Sequence, residues 1–212
     1  MEGGRSEAAR GRGGQMKLLV FSDIHGDRAA LERLMATEAD YYFAAGDLVN
    51  WAKGFERVGP ILQRRAGKVY VIPGNHESAE DIAGFCARYG CEDFHGRKMK
   101  IGEWNVAGLG YSNPTPFDTP GEYSEEEMGE RLEKFVGLDP LAMICHCPPR
   151  GTALDDSGEG NHFGSTAMRA FIEKAKPKYF FCGHIHEAAG VSEEMGGTWA
   201  TNVGKKGYLL EL

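Results

Sequence analysis

Short, wholly apolar runs alternate with amphipathic stretches through the first half of the chain. Lys17–Ser22 (KLLVFS), Tyr41–Ala45 (YYFAA) and Lys68–Ile72 (KVYVI) have the length and composition of strands buried on both faces of a parallel sheet. Between them the apolar period lengthens. Asp27 is a predicted N-cap for a helix carrying Leu31, Leu34 and Met35 on one face, and Phe55–Arg65 reads as a second helix. Ser78 with Asp81 forms a capping-box pattern ahead of the stripe Ile82, Phe85, Cys86 and Tyr89. The first half therefore reads βαβαβα.

The second half begins with a predicted hairpin, Lys98–Ile101 and Asn105–Leu109 around Gly102, followed by a Pro- and Gly-containing loop over Tyr111–Tyr123. Ser124 and Glu127 suggest another capping box, opening a helix that buries Met128, Leu132, Phe135 and Val136. The strand Leu141–Cys145 leads into the longest irregular stretch, Cys147–Gly164, and then into a helix with Met168, Phe171 and Ile172. Loops of that length are usually functional or disordered. Lys178–Cys182, Thr198–Asn202 and Gly207–Leu212 read as three closing strands.

Composition narrows the class. With 212 residues, 42% hydrophobic and 26% charged, the chain has ordinary globular usage and the length of one α/β domain, expected over residues 16–212. Residues 1–15 (MEGGRSEAARGRGGQ) lack apolar periodicity and are expected to form a flexible tail. No apolar run is long enough to span a bilayer and none resembles a secretory signal, so the expected compartment is the cytoplasm, with no membrane partner. The five cysteines are odd in number and show no C-x-x-C spacing; most are expected to be small core residues. A net charge of −7 argues against a polyanionic partner such as nucleic acid.

Chemistry-bearing residues cluster directly after predicted buried strands. Asp23-Ile24-His25-Gly26 follows the first, Gly46-Asp47 the second and Gly74-Asn75-His76-Glu77 the third; His146 follows LAMIC, and Gly183-His184-Ile185-His186 follows KYFFC. Ligands of open α/β sheets bind beyond the carboxyl ends of the strands, so these clusters should converge on one edge. They hold five of the seven histidines, together with Asp23, Asp47 and Asn75. Mixed imidazole and carboxylate suits Zn²⁺, Mn²⁺, Fe or Ni²⁺, and two ions are expected. In an extended segment Asp23 and His25 would point to the same side and share one ion. His184 and His186 would do likewise, unless a bend directs them at neighbouring ions.

In this order and context, D-x-H, G-D, G-N-H-E, H and G-H-x-H resemble the signature of the calcineurin-like metallophosphoesterases, from Phe21 to Glu187. The resemblance implies an αββα sandwich of two mixed β-sheets flanked by helices, which the strand pattern alone does not distinguish from one sheet. It implies that Asp23, His25 and His186 hold one divalent ion, that Asn75, His146 and His184 hold the other, and that Asp47 bridges both. His76 would sit beside the substrate as proton donor or charge stabiliser. Two cations about 3.5–4 Å apart activate a water and clamp phosphoryl oxygens for in-line attack. Manganese is the foremost candidate, with Fe, Zn²⁺ or Ni²⁺ as alternatives. The chain departs from the protein Ser/Thr phosphatases of the superfamily, which carry G-D-x-V-D-R-G and R-G-N-H-E. Here the segments are Gly46-Asp47-Leu48-Val49-Asn50 and Pro73-Gly74-Asn75-His76-Glu77, closer to the small stand-alone phosphoesterases of bacteria and archaea. Asn50 stands where many members place an aspartate that orients the G-N-H histidine.

His162 and Ser165 lie just ahead of a helix start, where backbone N–H groups attract anions, and are candidate substrate contacts together with Asn50. Asp155, Asp156 and His95 read as ordinary surface, Cys145 and Cys147 as packed small residues, and Trp51 and Phe55 as either pocket or core. The expected activity is hydrolysis of a phosphodiester or phosphomonoester of a small molecule or nucleotide, its specificity set by loops 111–123 and 147–164. The alternatives are a non-catalytic interaction scaffold on the same fold and a nuclease. Oligomeric state is left open.

Overall fold

The computed structural model describes residues 15–212, so of the expected tail only Gln15 lies among the described residues. The order of elements is β1 (Lys17–Phe21), α1 (Arg28–Ala36), β2 (Tyr41–Ala45), α2 (Phe55–Leu62), β3 (Val69–Ile72), α3 (Ala79–Tyr89), β4 (Glu92–Asp93), β5 (Arg97–Ile101) and β6 (Trp104–Leu109). There follow α4 (Glu125–Glu133), β7 (Leu141–Cys145), α5 (Thr166–Ala175), β8 (Tyr179–Cys182), β9 (Ser192–Met195), β10 (Thr198–Asn202) and β11 (Tyr208–Glu211). One sheet has the order β11-β1-β2-β3-β4, with only β11 antiparallel to its neighbour. The other has the order β5-β6-β7-β8-β10-β9, parallel in its centre and antiparallel at both edges.

Strand alternation explains why the central runs are apolar throughout. In β1, Leu18 and Val20 enter the layer between the sheets with Phe43, Ile72, Ile144 and Phe181, while Leu19 and Phe21 turn outward onto Leu31 and Leu34 of α1. On the far side of the second sheet, Met143, Phe180 and Cys182 pack beneath Met128, Leu132, Phe171 and Ile172 of α4 and α5. Helix, sheet, sheet, helix is therefore the layer order, and the mixed two-sheet sandwich is confirmed. All five cysteines are buried and free.

The capping signals hold. Asp27 accepts from the Ala30 N–H at 3.0 Å, and both Ser78/Asp81 and Ser124/Glu127 form reciprocal capping boxes. Some boundaries differ. The first strand ends at Phe21, leaving Ser22 in the loop, and α4 ends at Glu133, although Phe135 beyond it is still buried. The second helix stops at Leu62 and tightens into a 3₁₀ turn over Gln63–Arg65. The edge strands β4 and β9 escape an apolar-pattern reading because they are short and acidic (ED, SEEM).

His95 corrects the surface expectation. Its ring lies against Tyr111 and Tyr123, with centroids 5.2 and 6.2 Å away. The Gly110 N–H donates to Nδ1 at 3.0 Å, which leaves Nε2–H to donate to the Tyr123 hydroxyl, also at 3.0 Å. Burial, outweighing the nearby Asp93 carboxylate, lowers its pKa to about 4. A second proton would set an N–H against the Gly110 N–H. Because the folded pKa lies below the unfolded value of about 6.5, the neutral ring's contribution to stability is complete above that value and is lost as pH falls toward 4. In denaturation at pH 7.5 and 4.5, the stability advantage of wild type over His95→Gln should shrink at the lower pH; an advantage unchanged with pH would contradict the neutral tautomer.

Gly59 of α2 meets the α3 residue Tyr89, whose ring would overlap any Cβ built there. Alanine gains about 1 kcal/mol of helix propensity over glycine, whereas overpacking a rigid, buried ring costs roughly 1–3 kcal/mol. With Tyr89 only 6% exposed, overpacking should win. Gly59→Ala is expected to lower the urea midpoint, and a raised midpoint would show that the helices part freely.

Candidate metal centre

The loops after β1, β2, β3, β7 and β8 meet at one edge of the sandwich. Two nitrogen-rich groups form there. Asp23, His25 and His186 make one, and Asp47, His146 and His184 make the other. His25 Nε2 stands 3.0 Å from His186 Nε2, and Asn75 Oδ1 stands 3.1 Å from His146 Nε2 and 3.0 Å from His184 Nδ1. Asp47 lies between the groups: its Oδ2 is 3.6 Å from His25 Nε2 and 3.4 Å from His146 Nε2. His76 joins His25 and Asp47 in a third, overlapping cluster.

Hydrogen bonds on the far sides of two rings fix what the near sides offer. The Nδ1–H of His146 donates to the Ala45 carbonyl at 2.9 Å, and that of His25 donates to Asn50 Oδ1 at 2.7 Å. A neutral ring so held turns the lone pair of Nε2 inward. In both cases the inward lone pair faces oxygen lone pairs, those of Asp47 before His25 and those of Asp47 and Asn75 before His146. Such groups repel unless positive charge lies between them, and their chemistry suits a divalent cation of the zinc or manganese kind.

The electrostatics agree. Burial opposes ionisation of Asp47, yet His146, His25 and the His76 backbone N–H, which donates to Oδ1 at 3.0 Å, hold its pKa below the usual carboxylate range. Burial likewise opposes charge on His146, but the facing Asp47 carboxylate raises its pKa to about 9. A field that favours a proton at this nitrogen also favours a cation. Burial, followed by repulsion from His146, lowers His184 to about 3, and burial lowers His25.

Local backbone conformation aims these side chains. Asp23, His25, Asp47 and His184 all have positive φ, between 48° and 71°. The extended-segment expectation for Asp23 and His25 is thus corrected: the chain is already turning, because the His25 N–H must reach the Asp47 carbonyl at 2.9 Å. His184 and His186 part company, one turned to Asn75 and the other to His25, as the bent alternative has it. Close approach requires Gly74 and Gly183, where a Cβ would strike Asp47 and the Ser22–Asp23 pair respectively.

Glu77 of the G-N-H-E segment braces the site from behind. It is fully buried, and its carboxylate accepts from the N–H groups of Asp47 at 3.0 Å, Gly74 at 2.8 Å and Val49 at 3.0 Å. It thereby ties the Asp47 loop to the Asn75 loop. Burial and the Asp47 charge push its pKa up, while these N–H bonds pull it down.

Asn50 bonds His25 rather than His76, whose Nδ1 is buried with no hydrogen-bond partner among the described residues. Ser165 is fully buried; it caps α5 by accepting from the Met168 N–H and donates its hydroxyl to Glu125, so nothing of it is left for a substrate. His162 is bonded to Asp155 at 2.8 Å instead of lining the cleft. Asp155, expected at the surface, is fully buried and also accepts from the N–H groups of Gly151, Thr152 and Gly164, which makes it the anchor of the long loop. Trp51 is exposed and meets the His76 ring edge-on at 5.5 Å, while Phe55 packs on Phe85 in the core. Above these clustered side chains opens a cleft of about 410 Å³ between loops 111–123 and 147–164.

Fold and site together define a metallophosphoesterase, and comparison with known proteins agrees. The sequence matches the calcineurin-like phosphoesterase family over residues 16–188, and the chain belongs to that family. An uncharacterized protein of Methanocaldococcus jannaschii is 31% identical over 208 residues, covering 92% of this chain and 91% of its own. Among solved structures, a dimetal phosphatase from Danio rerio superposes with a TM-score of 0.65 at 11% identity, covering 89% of this chain and 87% of that one. A phosphopantetheinyl hydrolase from Mycobacterium tuberculosis superposes with a TM-score of 0.63 at 16% identity, covering 91% and 90%. These two likenesses are of fold. Family membership supports phosphoester hydrolysis with bound divalent metal. Among the described residues, no helix is long and apolar enough to cross a membrane.

Glu77→Ala would strand three buried N–H groups, each costing roughly 1–3 kcal/mol when left unpaired. Chemical denaturation should show a loss of at least ~3 kcal/mol, more than Glu77→Gln, which keeps an acceptor oxygen; equal losses in the two variants would contradict the tying role.

Proposed function

We propose that this protein hydrolyses a phosphate ester of a small molecule or nucleotide, a diester or a monoester, with two divalent cations as cofactors. Asp23, His25 and His186 would hold one cation, Asn75, His146 and His184 the other, with Asp47 shared. The observation that carries this reading is the position of Asp47 Oδ2, within 3.6 Å of nitrogens from both groups. Bound there, the cations would supply Lewis acidity to the phosphoryl oxygens and make a water nucleophilic near neutral pH. The chain's own residues orient and exclude. Asn50 and the Ala45 carbonyl fix the tautomers of His25 and His146, and the buried Asp47 and Asn75 keep the cleft floor from bulk solvent. His76 lines the same cleft and is placed to give the leaving oxygen its proton.

Manganese is the metal of first choice, with iron, zinc or nickel as alternatives of similar ligand preference. The scaffold reading is disfavoured because every position the metal pattern needs is filled, and the nuclease reading because the net charge of −7 repels a polyanion. Cytoplasmic location remains part of the proposal.

Purified protein stripped with a chelator should lose hydrolysis of a phosphate-ester panel and regain it with Mn²⁺. Asp47→Asn should lower kcat/KM by at least ~100-fold and His76→Gln by roughly 10²–10⁴-fold, with circular dichroism unchanged. Full metal-dependent turnover in the folded Asp47→Asn protein would overturn the assignment.

A further inference from the structure

The walls of the cleft differ in character from its floor. The floor is His25, Asp47, Asn75, His76, His184 and His186, but two phenylalanines from separate loops face the same space. Phe117 is 72% exposed and Phe163 is 51% exposed. Large apolar side chains left this open beside a polar site mark a binding surface rather than core.

Both are presented on braced backbone. The Phe117 N–H donates to Thr115 Oγ1 at 3.2 Å, and that hydroxyl donates to Glu122 at 2.6 Å. Pro114 and Pro116 restrict φ on the same segment. Phe163 is flanked by His162 and Gly164, both bonded to the buried Asp155 carboxylate, at 2.8 and 2.9 Å. Each ring thus follows or adjoins a residue tied to a carboxylate, so little ordering remains to be done on binding. Arg150 lines the cleft as well.

Resting on the phosphoesterase reading, we propose that Phe117 and Phe163 form an aromatic clamp that selects phosphate esters carrying a planar aromatic ring, of which a nucleobase is the type, with Arg150 meeting the anionic portion. A volume of about 410 Å³ is within the range of small-molecule sites and suits a single nucleotide rather than a polymer. Stacking on aromatic side chains gains roughly 5- to 100-fold in affinity per base and tolerates any base, because every base has a π-face. The clamp therefore specifies a ring without specifying which one.

The test uses metal-loaded protein and matched substrates with and without the ring: adenosine 5′-monophosphate against ribose 5-phosphate, and the methyl ester of each. The expected kcat/KM ratio favours the adenosine compound by at least ~10-fold, and Phe117→Ala and Phe163→Ala each pull that ratio toward one. Both side chains are exposed, so neither truncation threatens the fold. Hydrolysis of the esters with a ratio near one in wild type would overturn the clamp while leaving the hydrolase reading intact. Hydrolysis of none of these, nor of any ester of the wider panel, would overturn the hydrolase reading, and calorimetry with adenosine, which has no ester to cleave, then decides the clamp. Binding weakened about tenfold in the double variant supports it; equal binding by both proteins overturns it.

Discussion

Lone pairs facing lone pairs are the constraint on which this molecule turns. Five strands bring Asp23, His25, Asp47, Asn75, His146, His184 and His186 to one edge, and hydrogen bonds behind His25 and His146 turn their inward nitrogens into acceptors. Acceptors held 3.1 Å apart, as Asn75 Oδ1 and the inward His146 Nε2 are, stay together only if positive charge is shared between them. Left-handed backbone at four of these residues costs about 1–2 kcal/mol each, a strain the surrounding sandwich must hold. Concentrating it at this edge is consistent with a site selected for function over stability.

The two-sheet architecture makes such a gathering feasible. Asp23, Asp47 and Asn75 come from the first sheet, and His146, His184 and His186 from the second, so the site straddles the interface between the layers. Its rigidity descends from buried carboxylates that carry no chemistry themselves. Glu77 ties two first-sheet loops together, and Asp155 folds the long loop of the second sheet onto itself. The first positions Asp47 and Asn75; the second presents the wall of the cleft.

Much of this was legible in the residues. Uniformly apolar strands, capping boxes at Ser78 and Ser124, and the placement of His and Asp after strands all reflect local chemistry that tertiary contacts do not override. Local sequence does not reveal a side chain's role where that role depends on what lies opposite. His95 beside Gly96 looks like surface until Tyr111 and Tyr123 close over it. Ser165 suits an anion site as well as it suits the helix cap it forms with Glu125 behind it. Asp23 and His25 reach one group through a turn, although an extended segment was the simpler inference from spacing. Phe117 and Phe163 gave no signal, since nothing local distinguishes a ring bound for a cleft from one bound for the core.

The central claim is that this edge holds two cations around one shared carboxylate. Anomalous X-ray diffraction from crystals grown with Mn²⁺ tests it most directly. Two anomalous peaks are expected, one touching Asp23, His25 and His186, the other touching Asn75, His146 and His184, with Asp47 reaching both. A single peak, or metal bound without Asp47, would contradict it.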